Sequence, residues 1–379
     1  MAVTRTLKGH ILTANGFVDG TLEFDDRGRV LAIAGTPIDE RAARQSGQAL
    51  LLPGFIDLHV HGAGGRDIMD GDDAPARVAA THAAHGTTAL LATTMTAPAA
   101  ELRAAFEGLR SCCIERASQG ARVLGVHLEG PYINSGKLGA QPDFTRPVAL
   151  DELARLNAIA PIRLITLAPE LAGHMDAIAA LAQAGYTVQV GHTLGTYEDG
   201  VQALARGARG FTHLFNAMTG LHHRAPGIAG AALAHARYAE IIPDLLHVHP
   251  GALRVALRAI PCLYCVTDST AATGMPDGDY HLGRQPVTKC LGGVRLADGT
   301  LAGSTLTMDR ALRNLVDDLE MDLAQASMRL STHAADYLGL HDRGRLAPGA
   351  WADIVVLDRD LKLQDVYVEG ESIEFAHAA

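Results

Sequence analysis

The chain has 379 residues and a formal net charge of −10, and 48% of its residues are hydrophobic and 20% charged. This composition excludes a disordered protein, and the negative charge without long basic runs argues against binding to nucleic acid or an anionic membrane. Five cysteines, no signal segment and no apolar run of about 18 residues predict a cytoplasmic protein that neither spans a membrane nor depends on disulfides.

The first 50 residues are predicted to form short strands separated by turns. The candidate strands are Thr4–Leu7, Gly20–Phe24 and Arg29–Ala34. They contain too few apolar residues to enclose a core by themselves, so we expect them to pack against another part of the chain.

Eight short apolar segments rich in β-branched residues follow. They are Leu51–His59, Thr87–Thr94, Arg122–Leu128, Arg163–Leu167, Tyr186–Val190, Gly210–His213, Glu240–Leu246 and Leu263–Thr267. Nearly continuous apolar character is typical of strands that are covered on both faces. Segments with helical periodicity lie between most of them, at Pro75–His85, Glu101–Ala117, Met175–Ala184 and Ala252–Ala259.

A strand followed by a helix, repeated eight times, predicts an α/β fold of the (β/α)8 TIM barrel type over residues 51–343. A doubly wound sheet is the alternative, but no G-x-G-x-x-G follows the first strand. The tail from residue 344 returns to a strand pattern at Ala352–Leu357 and Val366–Glu369. We therefore expect residues 1–50 and 344–379 to form one small β domain, a β-sandwich built from both termini.

Histidine and acidic residues stand at the carboxyl ends of most predicted strands, where barrel enzymes carry their reactive groups. In chain order they are His59, His61, His127, Glu129, His192, His213, His247, His249 and Asp268. A single histidine at a strand end is more often structural, but five such strands are hard to explain without a metal. The donor set suits Zn²⁺ first, with Fe²⁺, Co²⁺ or Mn²⁺ as alternatives.

Such an ion lowers the pKa of bound water from about 15.7 to about 7 and polarises a carbonyl group. A carboxylate at the last strand, Asp268, can take the proton of the water and deliver it to a leaving amine. The predicted chemistry is therefore hydrolysis of an amide-like bond. A serine nucleophile is disfavoured because no G-x-S-x-G is present. The lone C-x-x-C at Cys262 and Cys265 is interpreted as apolar thiols near a buried strand.

From about residue 50 onward the chain resembles the amidohydrolase superfamily. The strings that carry this resemblance are PGFIDLHVHG at 53–62 and GRLAPGAWADIVVL at 344–357. More specific strings resemble the N-acetylglucosamine-6-phosphate deacetylases. They are HLEGPY at 127–132, GHT at 191–193, THLFNAM at 212–218, HHRAPG at 222–227, TDSTAATG at 267–274 and LAGSTLTM at 301–308.

The resemblance implies metal-dependent removal of the acetyl group from N-acetyl-D-glucosamine 6-phosphate, giving glucosamine 6-phosphate and acetate. The same reaction on N-acetylgalactosamine 6-phosphate or another N-acyl substrate stays open. A barrel that has lost catalysis and only binds a partner is disfavoured, because every expected ligand position is filled.

The resemblance also implies the roles of individual residues. Glu129, His192 and His213 would hold the principal ion, and Asp268 would act as general base and then as general acid. His59 and His61 would complete a second position with Glu129 as the bridge, so that one or two ions bind. The implied substrate contacts are Ala140, Gln141, Asn216, Ala217, Arg224, His247, Leu301, Ala302 and Gly303.

Arg224 supplies a charged fork suited to a phosphate dianion. In the family this arginine comes from the neighbouring subunit, which implies a homodimer.

Two departures from the family pattern bear on the substrate. Gln141 stands where the family usually carries a histidine near the substrate carbonyl, and a glutamine amide can donate a hydrogen bond but cannot become cationic. Leu245 replaces a glycine before His247, and we expect it to narrow the sugar pocket. His82 and His85, three apart on a predicted helix, are interpreted as solvated.

Overall fold

The structure, a computed structural model, describes residues 4–374, and its centre is a closed barrel of eight parallel strands. Barrel strands one to eight are Phe55–Val60, Thr87–Thr94, Arg122–Glu129, Ile162–Leu167, Thr187–Val190, Gly210–Phe211, Glu240–Ile241 and Tyr264–Cys265. The first six form one sheet in chain order, and the last two pair with each other. Two backbone hydrogen bonds close the ring, from Leu214 N to Glu240 O (2.9 Å) and from Asp268 N to His59 O (3.0 Å). The predicted barrel is confirmed.

Helices surround the barrel and cover its outer face. Their bounds are Ala74–Ala83, Ala99–Ile114, Leu150–Asn157, His174–Gln183, Tyr197–Ala205, Gly227–His235, Pro250–Ala259, Met308–Arg313, Leu323–Leu330 and Thr332–Tyr337, and a short helix, Glu40–Gln45, precedes the barrel. In Ala99–Ile114 the buried residues are Leu102, Ala105, Phe106 and Leu109, a helical spacing that places one apolar stripe against the strands. Among residues 4–374, no helix combines the length and the apolar character that crossing a bilayer requires.

Strands from both ends of the chain form a second sheet. They are Arg5–Thr13, Gly16–Phe24, Val30–Ile38, Leu50–Pro53, Ile354–Leu357, Leu363–Val368 and Glu371–Ser372. Phe24 and Tyr367 lie on strands four positions apart in this sheet, a separation of about 19 Å in a flat sheet. Their ring centroids are 5.7 Å apart, so the sheet rolls over into two layers around its own core. The sheet expected from both termini is thus present.

The predicted strand Leu51–His59 is in fact two strands in two different sheets. Leu50–Pro53 pairs with Ile354–Leu357 and with Arg5–Thr13 in the terminal sheet, and the first barrel strand begins only at Phe55. Gly54 separates them, at a point where a Cβ atom would lie 2.3 Å from the side chain of Thr88. Both strands are buried on both faces, so the apolar pattern gave no sign of the break. That the terminal sheet and the barrel are separate domains stays a prediction.

A three-stranded sheet follows the last barrel strand and was not predicted. Its strands are Gly278–Leu282, Gln285–Cys290 and Gly293–Arg295. Leu282, Val287 and Val294 pack on Met95 and Ala302 in a small apolar cluster. Leu282 of this sheet reaches the barrel mouth.

Candidate active site

Two groups of potential metal ligands lie at the carboxyl ends of the barrel strands. One group is Glu129, His192 and His213, and the other is His59, His61 and Asp268. All six side chains are buried, and within each group the donor atoms lie within 4.8 Å of one another. Barrel strands one, three, five, six and eight supply them, as the strand-end pattern predicted.

The backbone at three of these residues leaves the strand in an unusual conformation. His192, His213 and Asp268 have φ angles of 49°, 27° and 50°, a region that residues other than glycine rarely adopt. Each residue lies two or three positions after the end of a short barrel strand, and its side chain lines the barrel mouth. Strained backbone of this kind concentrates at functional sites.

The first group has the spacing that a small metal ion requires. Glu129 Oε1 lies 3.0 Å from His192 Nε2 and 3.1 Å from His213 Nε2, and the two nitrogens are 3.0 Å apart. Ligands of a tetrahedral ion bound at 2.0–2.1 Å are separated by about 3.3 Å. Two imidazoles and a carboxylate in this arrangement therefore fit a divalent metal.

The second group shares Glu129 with the first. Glu129 Oε2 lies 3.1 Å from His61 Nε2 and 3.4 Å from His59 Nε2, so each carboxylate oxygen faces one group. The two nitrogens are 3.1 Å apart, and Asp268 Oδ1 lies 3.4 Å from both. The geometry brings together all six residues that the sequence assigned to metal binding and acid–base chemistry.

The ionisable side chains of this cluster shift one another's pKa values. Burial alone would raise the pKa of Asp268, but the nearby His59 and His61 imidazoles lower it to about 2. Burial opposes protonation of His61, yet its hydrogen bonds with Asp268 and Glu129 raise its pKa to about 9. The pKa of Glu129 lies well below its usual value, because the His59 charge and hydrogen bonds from His192 and His213 outweigh burial. The carboxylates are therefore ionised and suited to face a cation.

Five of the six ligand-group residues, all except His59, line a cavity of about 250 Å³ at the barrel mouth. Seven of the nine predicted substrate contacts line it as well, namely Ala140, Gln141, Asn216, Ala217, His247, Leu301 and Gly303. Ala302 lies beside the cavity, buried in the apolar cluster of Met95 and Leu282. His247 is held by Asp244, whose Oδ2 lies 2.6 Å from His247 Nδ1.

Arg224 lies outside this cavity. Its side chain is exposed, and Nη1 lies 2.8 Å from Nε2 of the neighbouring His223. Within one chain the structure therefore does not bring Arg224 to the other predicted substrate contacts.

The Gln141 side chain hydrogen-bonds to Glu129, one of the potential metal ligands. Its Oε1 accepts the backbone N–H of Thr96, and its Nε2 donates to Glu129 Oε2, both at 2.6 Å. One N–H of the amide is left for a substrate. Leu245, the other departure, has a φ of 66° and packs against the barrel core rather than lining the cavity, so the expected narrowing of the pocket is wrong.

Several histidines have other roles. His127 lies in the barrel interior with Nδ1 3.3 Å from Thr93 and Nε2 2.8 Å from Thr166, and burial lowers its pKa to about 3. His249 is exposed at the start of the helix Pro250–Ala259. The solvated interpretation of His82 is wrong, because this side chain is buried and contacts Ser269 Oγ at 3.0 Å. His85 is partly exposed beside Asp309.

Some residues at the site were missed. Met95, Leu282 and Thr300 line the cavity, and Glu240 contacts His59 from below. Glu240 could have been found from the sequence, because it is an acidic residue at the start of a mainly apolar predicted strand. Leu282 comes from the inserted sheet, and no motif pointed to it.

The chain is similar to deacetylases from several organisms. The amidohydrolase family model matches residues 50–373. The N-acetylgalactosamine-6-phosphate deacetylase of Escherichia coli O157:H7 is 39% identical over 377 residues, 96% of this chain and 98% of that protein. The N-acetylglucosamine-6-phosphate deacetylase of Vibrio furnissii is 39% identical over 363 residues, 94% of this chain and 91% of that protein.

A solved structure extends the likeness to the whole fold. It is a variant of the N-acetyl-D-glucosamine-6-phosphate deacetylase of Mycobacterium smegmatis in complex with N-acetyl-D-glucosamine 6-phosphate. It superposes with a TM-score of 0.89 at 36% identity and covers 99% of this chain and 100% of that chain.

Proposed function

The chain belongs to the amidohydrolase family, and we propose that it removes the acetyl group from N-acetyl-D-glucosamine 6-phosphate, giving glucosamine 6-phosphate and acetate. The observation that carries this proposal is the convergence of Glu129, His192, His213 and Asp268 on one cavity. The relatives named as deacetylases of hexosamine phosphates support the substrate class.

Asp268 is the proposed proton carrier. A bound divalent ion would polarise the acetyl carbonyl and make water a better nucleophile. Since the pKa of Asp268 is about 2, its carboxylate is ionised at neutral pH and can accept a proton from the attacking water. The water oxygen bonds to the acetyl carbon, the carbon–nitrogen bond breaks, and Asp268 returns the proton to the departing amine.

Groups at the cavity wall are proposed to orient the substrate. His247, whose Nδ1 is held by Asp244, presents its other nitrogen to the cavity, and Gln141 offers its remaining N–H near the metal ligands. Such preoriented donors stabilise negative charge that develops on the carbonyl oxygen. The amide of Asn216 and the backbone N–H of Ala217 are proposed to contact the phosphate.

We propose a homodimer in which Arg224 of the partner subunit completes the phosphate site. In a single chain Arg224 is exposed and outside the cavity, and a protein of net charge −10 needs local cations to hold a phosphate dianion.

We further propose Zn²⁺ as the ion, in one or two copies, since imidazole and carboxylate ligands at this spacing suit it. All five cysteines lie within the described residues and none forms a disulfide, which supports a location in the reducing cytoplasm.

The galactosamine epimer is a second candidate substrate. The relative from Escherichia coli O157:H7 is named for it and is as similar to this chain as the glucosamine enzymes are. The same metal ligands would serve both reactions, because the epimers differ only at a hydroxyl remote from the acetyl group.

Acetate release from the two phosphorylated epimers and from unphosphorylated N-acetylglucosamine, with and without a chelator, tests the proposal. We expect chelator-sensitive turnover of N-acetylglucosamine 6-phosphate with the highest kcat/KM. Preference for the galactosamine epimer would select the second candidate. Turnover that resists the chelator after exhaustive dialysis would contradict metal dependence.

A further inference from the structure

Glu240 is a buried carboxylate beneath the metal ligands and does not line the cavity. It lies in barrel strand seven with no exposed surface. Its Oε1 accepts the Nδ1–H of His59 at 2.7 Å and the backbone N–H of His213 at 2.9 Å. One oxygen therefore contacts a residue from each ligand group.

The other oxygen of Glu240 is held by residues of barrel strands five and eight. Gln189 Nε2 donates to Oε2 at 3.2 Å, and the Tyr264 hydroxyl, 3.5 Å from Oε2, donates to Gln189 Oε1 at 2.8 Å. The orientation of the carboxylate is thus fixed by neighbours that take no part in metal binding.

The four imidazoles of the site differ in how their outer nitrogens are held. His59 Nδ1 contacts the Glu240 carboxylate, and His192 Nδ1 contacts the carbonyl oxygen of Lys137 at 2.8 Å. The Nδ1 atoms of His61 and His213 are buried and have no hydrogen-bond partner among residues 4–374. Of the four, His59 is the one held by a charged group.

An acceptor at Nδ1 determines which imidazole nitrogen can bind a metal. It keeps the proton on Nδ1 and leaves the lone pair of Nε2 directed at the site, and a carboxylate also makes that nitrogen more basic. His59 Nε2 is the atom that faces His61, Glu129 and Asp268.

We propose that Glu240 is a positioning residue that builds the second metal position by fixing the tautomer and orientation of His59. Because Glu240 Oε1 also accepts the backbone N–H of His213, it fixes the second metal position relative to the first metal position. The inference rests on the proposed metal-dependent function but concerns how many ions bind and how tightly.

The test is a titration of the metal-free full-length protein with Zn²⁺ in competition with a chromophoric chelator, followed by counting bound zinc by mass spectrometry. We expect two equivalents on the wild-type protein. Glu240→Gln keeps the shape of the side chain but removes its charge. Its amide NH2 group, a donor, must then face other donors, either His59 and His213 or Gln189, and the hydrogen bonds on that side are lost. The second equivalent should weaken about 10–100-fold while the first is unchanged.

Thr166→Val is the matched control. Thr166 is also buried in the barrel interior and hydrogen-bonds to His127 and Thr212, but its side chain forms no hydrogen bond with any of the six ligands. It should bind both equivalents like the wild type. If Glu240→Gln does not fold, judged by circular dichroism of the metal-free form, Glu240→Asp replaces it, since a shorter side chain withdraws the carboxylate from His59 and should give the same selective loss.

Three outcomes would overturn the proposal: a single equivalent on the wild type, unchanged binding of both equivalents by the folded Glu240 variant, or equal weakening of both equivalents. The last would mean that Glu240 only supports the barrel. Because the readout is bound zinc, none of these outcomes decides whether the protein releases acetate, and acetate release is measured separately.

Discussion

The two ends of the cavity are built in different ways. At the proposed metal end, six buried side chains from five barrel strands meet within one chain, and Glu240, Gln141 and the Lys137 carbonyl group hydrogen-bond to His59, Glu129 and His192, respectively. At the other end, where we propose that the phosphate binds and which we call the phosphate end, the half-buried Asn216 and Ala217 lie on a loop, and the expected cation, Arg224, is exposed outside the cavity.

The difference indicates where each part of the function resides. Residues at strand ends are placed by the barrel itself, so the reactive groups are in position without a partner. In the proposed function, recognition of the charged end of the substrate depends on loop residues and on a second subunit. Chemistry and substrate selection should therefore be separable by mutation.

The largest effect on activity should come from replacing Glu129, the carboxylate that both ligand groups share. Glu129→Gln removes the charge that faces both ligand groups, so we expect loss of bound zinc and of acetate release to background. Zinc content by mass spectrometry and acetate release measured on one sample check this. A variant that kept two zinc ions and normal turnover would remove Glu129 from the site.

Acidification should weaken the metal end next. Zinc binds neutral imidazole, and the pKa of His61 is raised to about 9, so its proton must leave when the ion enters. His59 belongs to the same ligand group and its pKa is also raised well above its usual value, so a second proton is displaced as well. The apparent affinity for the second equivalent should therefore fall at least about tenfold per pH unit below 9, or at least about a hundredfold from pH 8 to pH 6. Competition titrations across this range measure the slope, and an affinity independent of pH would contradict the assignment.

Arg224→Ala should affect only the phosphate end. Loss of a charge-assisted hydrogen bond worth about 1.5–3 kcal/mol predicts a decrease of about tenfold to a hundredfold in kcat/KM for the phosphorylated sugar, mainly through KM. Turnover of the unphosphorylated sugar should not change, and this serves as the internal control.

Mixing subunits tests whether Arg224 acts across an interface. Arg224→Ala and Asp268→Asn chains are each impaired, but a heterodimer contains one site with Asp268 from one chain and Arg224 from the other. Co-refolding the two should restore part of the low-KM activity. No restoration in verified heterodimers would place Arg224 in its own chain's site or outside both.

The smallest effect on activity should come from Leu245→Gly, because Leu245 lies outside both the metal end and the phosphate end of the cavity. Leu245 packs against the barrel core at a φ of 66°, so glycine relieves backbone strain of about 1–2 kcal/mol while giving up part of an apolar contact. The two effects oppose each other, and KM should stay within about twofold of the wild type. A large decrease in KM would mean that Leu245 does narrow the pocket.

The metal end was largely predictable from the sequence. Parallel strands buried on both faces give continuous apolar runs, and the polar residue after each run must lie at one edge of the barrel. His192, His213 and Asp268 were found in this way. His127 obeys the same pattern but lies one layer deeper, bound to Thr93 and Thr166, and a one-dimensional pattern does not distinguish these depths.

Other features depended on tertiary contacts that the sequence does not display. Leu50–Pro53 belongs to the terminal sheet because of its pairing with Ile354–Leu357, 300 residues away in the chain. His82 is buried because Ser269 lies opposite it, and Leu282 reaches the cavity through an inserted sheet. In each case the deciding partner is distant in sequence.

The central claim is that hydrolysis is performed at the metal end with Asp268 as the proton carrier. Acetate release by Asp268→Asn, measured on protein with its zinc content determined, tests it most directly. We predict a protein that folds, retains zinc at Glu129, His192 and His213, and releases acetate about 10²–10⁴-fold more slowly than the wild type. Turnover close to that of the wild type would contradict the account.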